Sequence, residues 1–456
     1  MTKHHPPRAI DEPALPPAGL VARELAVRLI AGVLHDRRPL QQLLVETGAQ
    51  PEYAGLPARD RALARAIAAA VLRRQGELEH AVNAFLERPL PKEASRFRLV
   101  LLAAAAQLLV LDMAPHAVVD LAVEQTRRTR NGARYAKLAN AVLRRVAADG
   151  RARLAGQDAV RLDIPDWLWR RWTSTYGAET GRRIAEASLK EAALDISLKG
   201  GDAQAWAGRL GARQLPTGSV RLLQHGRVED LPGYAEGAWW VQDAAAALIA
   251  RIAGDVAGRD VADLCAAPGG KTAGLAAAGA RVTAVDLSPA RLERLRENLQ
   301  RLQLGAEVIA ADGAKWSPGR AFDVVVLDAP CTATGTIRRH PDILRLKRPG
   351  DVARMAELQR ALLANAAGLV ALGGRLVYAT CSLEPEEGEA QVAAFLAANP
   401  AFARAPIAAE EIGADAGWIT AAGEMRTLPF HLPMEPEELS GLDGFFVARL
   451  VRHDGA

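Results

Sequence analysis

Residues 322–341 read FDVVVLDAPCTATGTIRRHP. The first six, Phe322–Leu327, form an apolar run rich in β-branched residues, the pattern of a central parallel strand buried on both faces. The run stops at Asp328-Ala329-Pro330-Cys331. Open α/β sheets bind their ligands just outside the carboxyl ends of the strands, so an acid, a proline and a thiol are delivered where chemistry is expected. An isolated DAPC reads as an ordinary turn. Here a second apolar strand pattern, Arg375–Thr380 (RLVYAT), runs straight into another thiol, Cys381. Two strand ends of one sheet, each carrying a cysteine, favour a site over coincidence.

From residue 236 onward the chain alternates strand and helix, the signature of βαβ units and a parallel sheet. Strands are expected at Asp260–Leu264, Arg281–Val285, Glu307–Ala310, Phe322–Leu327, Arg375–Thr380 and Phe445–Val451. Helices are expected between them, notably at Arg291–Leu302, Val352–Ala371 and Glu386–Ala398. The first strand leads into Asp263-Leu264-Cys265-Ala266-Ala267-Pro268-Gly269-Gly270-Lys271-Thr272 and then a helix. Paired glycines let backbone approach a ligand closely, and a helix N-terminus favours negative charge. Gly270-Lys271-Thr272 also fits the end of a P-loop, GxxxxGK[ST], and Val324–Asp328 the apolar strand plus acid that accompanies one. The first P-loop glycine would fall at position 265, which is cysteine, so the ATPase reading ranks second. Asp286 ends the second strand, where an acid binds ribose hydroxyls in such folds. Asp312 ends the third (VIAADG), placed for an adenine edge, and Asp328 ends the fourth. A row of carboxylates suits a nucleoside bearing positive charge, which favours S-adenosylmethionine over NAD or ATP.

Ahead of this part, residues 20–148 read as helical throughout. Periodic apolar positions run through Val21–Leu34, Arg61–Leu72, Leu78–Leu86, Ser95–Leu111, Ala117–Val123 and Tyr135–Val146. Residues 1–150 hold 22 Lys and Arg against 15 Asp and Glu, whereas the whole chain carries only +4. A basic N-terminal part suggests a polyanionic partner. The loop Arg127-Arg128-Thr129-Arg130-Asn131-Gly132-Ala133-Arg134 reads equally as a phosphate contact and as a solvated turn. Residues 149–160 read as a linker, 161–235 as a small α/β segment, and 1–19 as a disordered lead-in. The Trp167, Trp169, Trp172 cluster reads as core packing or a domain interface ahead of a base-stacking platform. The apolar run Leu99–Leu111, broken by Gln107, is too short for a bilayer. With no apolar leader at the N-terminus, a cytoplasmic, monomeric protein without membrane contact is expected. Three cysteines (265, 331, 381) with no CxxC pair argue against a disulfide framework and against a metal site.

The stretches DLCAAPGGKT (263–272), AVDLS (284–288), AADG (310–313), DAPCTATGTIRRHPD (328–342), YATCSLEPEE (378–387) and DGFFVARL (443–450) resemble the RNA cytosine-5 methyltransferases. Within them the likeness is to the bacterial 16S ribosomal RNA group of the RsmB (Sun/Fmu) type. That resemblance implies a helical NusB-like RNA-binding domain at 20–148. It implies a Rossmann-like class I methyltransferase domain, here 236–453, using S-adenosylmethionine. It further implies 16S ribosomal RNA, or a small-subunit assembly intermediate, as the partner. The cofactor site would comprise Cys265, Ala266, Ala267, Pro268, Gly269, Gly270, Lys271, Asp286, Asp312 and Asp328. Cys381 would be the nucleophile and Cys331 the thiol that assists product release, with Cys265 structural. Read from the residues alone, either strand-end thiol serves as the nucleophile. Ile196-Ser197-Leu198-Lys199 departs from the Leu-Arg-Val-Asn of that group.

Cytosine C5 is too weakly nucleophilic to take a methyl group unaided. A thiolate adding at C6 makes C5 enamine-like, a case of covalent catalysis, and a carboxyl such as Asp328 at N3 assists. Arg338, Arg339 and His340 are expected on the target's phosphates. Lys271 is expected near the cofactor or a catalytic carboxylate. Gln242 and Asp243 are expected at the pocket, or Asp243 as a helix N-cap. Transfer RNA as substrate, and a non-catalytic ribosome-assembly factor, are the rival functions.

Overall fold

Alternate residues of the strand Phe322–Asp328 enter two different cores: Val324 and Val326 pack on one side of a sheet, Val325 and Leu327 on the other. A strand whose side chains alternate between two apolar layers is covered on both faces. The computed structural model describes residue 17 and residues 19–129, 131–222 and 226–454. The expected disordered lead-in therefore lies almost wholly outside the described residues, as does Arg130 of the basic loop.

Twelve strands form two sheets among the described residues. The smaller consists of β1 (Leu194–Leu198), β2 (Arg213–Gln214), β3 (Val220–Leu222) and β4 (Trp239–Val241), antiparallel in the order β2-β3-β1-β4. The larger contains β5 (Asp260–Leu264), β6 (Arg281–Asp286), β7 (Glu307–Ala310), β8 (Phe322–Asp328), β9 (Val370–Thr380), β10 (Phe402–Arg404), β11 (Met425–Arg426) and β12 (Phe446–Arg452). Its order is β10-β12-β9-β8-β5-β6-β7, with β11 paired to β12. Strands β5 to β9 are mutually parallel, and β12 returns antiparallel to β9. The chain builds outward from β5 to β7, then crosses back to β8. The sheet thus reverses direction of growth between β5 and β8, where open α/β folds place their ligand crevice.

The expected strands are found nearly residue for residue. One difference is β9, which starts at Val370 directly after the helix Pro349–Leu369. The apolar sequence Leu369-Val370-Ala371 has no polar break to mark that boundary. The pairing slips between Phe322 and Val324, and at Gly374 a Cβ would meet the Asp323 carbonyl at 2.9 Å. The short edge strands β10 and β11 are not expected from the sequence.

The chain divides into two units, at Asp163/Ile164; the first also takes in Leu344–Leu346. The first unit is helical, as expected, with additional helices at Leu40–Gly48, Pro51–Ala54 and Ala159–Asp163. Its last long helix, Ala136–Leu154, runs through half of the expected linker. Phe97 stacks on Tyr135 at 4.8 Å within its core. Gln107, buried in an otherwise apolar helix, donates to the Ala103 carbonyl at 2.9 Å. Among the described residues no helix is long and apolar enough to cross a membrane.

The small α/β segment does not stand apart from the large sheet. Strand β4 lies beyond the expected boundary at 235 yet completes the small sheet, and one buried ion pair fastens that sheet in place. Arg221, on β3, makes a two-pronged contact with Asp195 of β1 at 2.6 and 2.7 Å. Its other nitrogen donates to the carbonyls of Leu439 and Gly441, in the loop before β12. Asp195 also accepts from the Ala244 N–H at the start of the helix Ala244–Ile252. The Arg221 side chain is 2% exposed and that of Asp195 0%. Of the tryptophan cluster, Trp172 is fully buried, while Trp167 and Trp169 are only partly so.

Breaking such a pair from one side leaves an uncompensated buried charge. Asp195→Ala is therefore expected to lose about 3–5 kcal/mol of stability, measured as a denaturant midpoint at unchanged slope. A loss under about 1 kcal/mol would reduce the pair to the worth of an exposed one.

Candidate active site

The register of β8 and β9 pairs Asp328 with Ala379, and the Ala329 N–H donates to the Ala379 carbonyl at 2.9 Å. Just beyond these strand ends stand the thiols. Cys331 Sγ and Cys381 Sγ lie 3.3 Å apart, both as free cysteines. The turn after Cys331 folds back onto the end of β9, where Gly335 N–H donates to the Cys381 carbonyl at 3.0 Å. Gly335 must be glycine: an added Cβ would meet the Gly444 carbonyl oxygen at 1.9 Å. The Gly444 N–H in turn donates to the Gly335 carbonyl at 2.8 Å, so the DGFF stretch closes against the thiol turn.

Lys271, in the first turn of the helix Gly270–Ala277, places Nζ 2.5 Å from Asp328 Oδ2 and 5.7 Å from the centre of the Phe445 ring. Burial alone would lower the Lys271 ammonium, but Asp328 outweighs it and the net shift is upward. The Cys381 thiol is held well above the usual thiol range. Its hydrogen bond with Cys331 is the largest cause, followed by burial and the Cys331 and Asp328 charges, while Lys271 opposes them.

The loop after β5 is shaped by Cys265 at φ 61° and Gly269 at φ 102°. A Cβ on Gly269 would also press on Leu295 at 2.9 Å, so the loop closely approaches the helix Pro289–Leu302 there. Asp286 is buried, and its carboxylate accepts from the Ala267 N–H (3.1 Å) and the Ser288 N–H (2.9 Å), with Arg291 at 3.5 Å. The acid expected on the ribose thus also organises the loop, and each oxygen keeps a second acceptor position. Asp312 is half-exposed, accepting from Ala314 N–H at 3.0 Å. A Cβ on the next residue, Gly313, would lie 3.9 Å from Cys265 Sγ, so the end of β7 returns to the same loop. Asp328, Lys271, Cys331 and Cys381 form one cluster; residues 265–270, Asp286 and Asp312 stand at or just after the ends of the neighbouring strands β5, β6 and β7. Burial and the Asp328 and Asp286 charges push the Cys265 thiol up to about 12, in keeping with a structural role.

Arg338 and Arg339 are not phosphate contacts. The Thr334–Thr336 turn carries them back into the protein. Arg339 pairs with Asp243, with Asp443 (3.0 Å) and more distantly with Asp195 (3.8 Å). Arg338 donates to the Ser440 carbonyl at 2.6 Å. Only His340 of the three is exposed. Asp243 does cap its helix, accepting from the Ala245 N–H at 2.8 Å. Gln242 is tied to Ser197 and Trp240, and its side chain faces Gly270 of the loop. Lys199, in the departing ISLK segment, donates to the Leu302 carbonyl at 3.0 Å.

Sequence reasoning missed Asp263, Gln359 and Glu387. Asp263 is buried at the end of β5 with Thr272 Oγ1 donating to it at 2.6 Å. Burial pushes its carboxyl up to about 7 against that bond, with Asp328 adding to the rise. Glu387 accepts from both residues that follow the thiols, Thr332 and Ser382. Only its place in the quoted YATCSLEPEE stretch hinted at it.

Comparison with known proteins gives the family and the fold. Residues 255–451 match the family model for 16S rRNA methyltransferase RsmB/F, and residues 20–148 match the NusB family. Ribosomal RNA small subunit methyltransferase B of Sodalis glossinidius is 36% identical over 95% of this chain and 98% of its own. The enzyme of the same name from Vibrio cholerae is 39% identical over 75% and 82%. Among solved structures, PH0851 superposes with a TM-score of 0.71 at 23% identity, covering 96% of this chain and 99% of that one. NSun6 from Pyrococcus horikoshii, solved with SFG, gives 0.54 at 18% identity over 63% and 98%. Both confirm the fold. The chain belongs to the RsmB/F family of 16S rRNA methyltransferases, with a NusB-family helical domain preceding a Rossmann-like domain of the S-adenosylmethionine-dependent type.

Proposed function

We propose that the protein methylates C5 of a cytosine in 16S ribosomal RNA, in the cytoplasm, through a covalent adduct between Cys381 and C6 of the base. The observation that carries this reading is the pair of free thiols 3.3 Å apart at adjacent strand ends, beside the Lys271–Asp328 pair. A binding module has no need of two thiols in contact.

S-adenosylmethionine supplies an electrophilic methyl group on a cationic sulfur. The crevice suits a cationic nucleoside: Asp286, Asp312 and Asp328 border it, and the basic groups Lys271 and Arg291 each already face a carboxylate. Asp286 is assigned to the ribose, Asp312 to the adenine edge, and residues 265–271 to the backbone cradle. Cys381, once deprotonated, attacks C6; the electron pair of the C5–C6 bond then becomes available at C5, where the methyl is received. Negative charge accumulates toward N3, to which the Asp328 carboxyl passes a proton drawn from the Lys271 ammonium it faces. The proton on C5 then passes to Cys331 as its thiolate, directly or through water. The C5–H pair re-forms the C5–C6 double bond, and the C6–Sγ bond breaks to return the Cys381 thiolate. Holding the base against both thiols supplies much of the acceleration through positioning, and the base must be unstacked to reach them.

The two thiols leave different traces. Cys381→Ala is expected to be inactive and never cross-linked, while Cys331→Ala accumulates a denaturant-resistant protein–RNA complex, read on a gel with unmodified RNA. The opposite pattern would exchange the roles; no adduct from either variant would remove the covalent mechanism.

The pH dependence follows from the raised Cys381 thiol. A thiol shifted upward is protonated, and unreactive, over more of the pH range, so adduct formation should climb with pH and continue past the ordinary thiol value of about 8.5. In Cys331→Ala the largest cause of the rise is gone, and the same limb should move to lower pH. Superimposable profiles for the two proteins would contradict the assigned coupling.

The basic end of the helix Pro115–Arg128 is proposed as a phosphate contact. Arg127 and Arg128 are exposed, and both pair with Glu124. Replacing both, with Arg134, by alanine should weaken RNA binding and flatten its salt dependence. The slope should fall by about 0.7–0.9 for each phosphate no longer neutralised, without altering S-adenosylmethionine affinity. Fluorescence anisotropy across a salt series decides it: equal slopes would return the loop to a solvated turn.

A further inference from the structure

Glu387 is a fully buried carboxylate in the turn Pro385–Glu387, after the second thiol. Its Oε1 accepts from the Thr332 N–H at 2.9 Å and from Gln359 Nε2 at 3.1 Å. Its Oε2 accepts from the hydroxyls of Thr332 and Ser382. Thr332 follows Cys331 and Ser382 follows Cys381. The two hydroxyl oxygens are also 3.1 Å from each other. Gln359 is shared: the same amide nitrogen donates to the Pro330 carbonyl at 2.8 Å, on the other side of Cys331. The glutamate's own backbone is fixed to β9, its carbonyl accepting from Tyr378 Oη at 2.8 Å and Thr380 Oγ1 at 3.2 Å.

Four neutral donors converge on one carboxylate. A charge taken out of water is expensive unless fully hydrogen-bonded, and here burial does raise the carboxyl while the bonds from Ser382 and Thr332 pull it back. An apolar side chain would fill this space at less cost, so the arrangement needs a reason. The donors supply it, since two belong to the residue after one thiol and one to the residue after the other.

We propose that Glu387 is the positioning residue of the thiol pair, clamping Thr332 and Ser382 so that Cys331 and Cys381 are held in contact. Its consequence for catalysis rests on the two-thiol reaction proposed above; the clamp itself does not. Glu387 reaches no reacting atom in that scheme and acts through the two residues it holds. A carboxylate is suited because every partner donates. Glutamine preserves the shape: its amide nitrogen can donate to the Thr332 and Ser382 hydroxyls, which rotate to accept. Alanine releases both sides.

The test reads spacing without RNA. Oxidation by diamide joins Cys331 and Cys381 as both thiols lose their protons and two electrons, the azo group being reduced to a hydrazine. Peptide mapping identifies the bond and separates it from Cys265. Cross-linking should be slowed about tenfold or more in Glu387→Ala, with kcat down about 10²-fold, the scale of a small misplacement of reacting groups. S-adenosylmethionine affinity and the KM for RNA should stay within about twofold. Glu387→Gln should recover most of both rates. If Glu387→Ala does not fold, Ser382→Ala, which frees the Cys381 side alone, should slow the same cross-link. Cross-linking at the wild-type rate in a folded Glu387→Ala, or in Ser382→Ala if that is the variant that folds, overturns the clamp. So does a Glu387→Gln as impaired as Glu387→Ala, since charge rather than grip would then be responsible. Slow cross-linking with undiminished kcat leaves the clamp standing and removes Cys331 from the reaction.

Discussion

Parallel pairing of β8 with β9 sets Asp328 opposite Ala379, and the chemistry at the carboxyl edge of the sheet depends on that register. Side chains alternate with a period of two along a strand, so a slip of one residue would exchange the two faces of β8. Val324 and Val326 would trade cores with Val325 and Leu327, and both layers resist because both are closed. Fixed this way, the strands end level with each other and their next few residues can meet. The thiols are therefore positioned by hydrophobic packing first, and by the hydrogen bonds of Thr332, Ser382 and Gly335 second.

Around that edge the charges are arranged in two closed groups. Lys271 and Asp328 neutralise each other beside the thiols. Further back, Asp195, Asp243 and Asp443 enclose Arg221 and Arg339. This second group joins the small sheet, the helix after β4 and the loop before β12. Burial, with the neighbouring Asp243 and Asp195 working against Arg339 and Arg338, pushes the Asp443 carboxyl up to about 7. The DGFF stretch that carries Asp443 also brings Gly444 against the thiol turn and Phe445 near Lys271. Charge pairing remote from the thiols thus holds the wall of the crevice.

What could be read from the sequence follows a physical division. Strand β8 and the end of β9 are legible because burial leaves apolar runs there, and the thiols are legible because each follows such a run. Arg338 and Arg339 were misread because an arginine pair in a turn looks solvated; the acids that enclose Arg339 come from three distant parts of the chain. Strand β4 is not expected, and its residues fall beyond the boundary at 235, because three residues carry no periodicity of their own and are fixed by pairing with β1. The start of β9 was missed because helix and strand share one apolar run. Glu387 looks like one more acid in an acidic turn, and only the fold shows that the turn points inward.

The P-loop alternative ranks second on position 265, but other residues of the loop weigh more heavily against it. Cysteine at position 265 argued against a phosphate-cradling turn because glycine is wanted there. Yet Cys265 adopts φ 61°, the left-handed conformation usually left to glycine, so the backbone turn exists despite the side chain. The phosphate reading fails further along. Lys271, which would reach a terminal phosphate, is committed to Asp328, and the Thr272 hydroxyl, which would face a metal ion, donates to the buried Asp263. Asp286 closes on the Ala267 N–H, one of the amides that a polyphosphate would require. Each of these three donors of a P-loop is thus present and already given to a carboxylate. Carboxylates facing those donors favour a cationic nucleoside over a polyphosphate on the same strand, turn and helix.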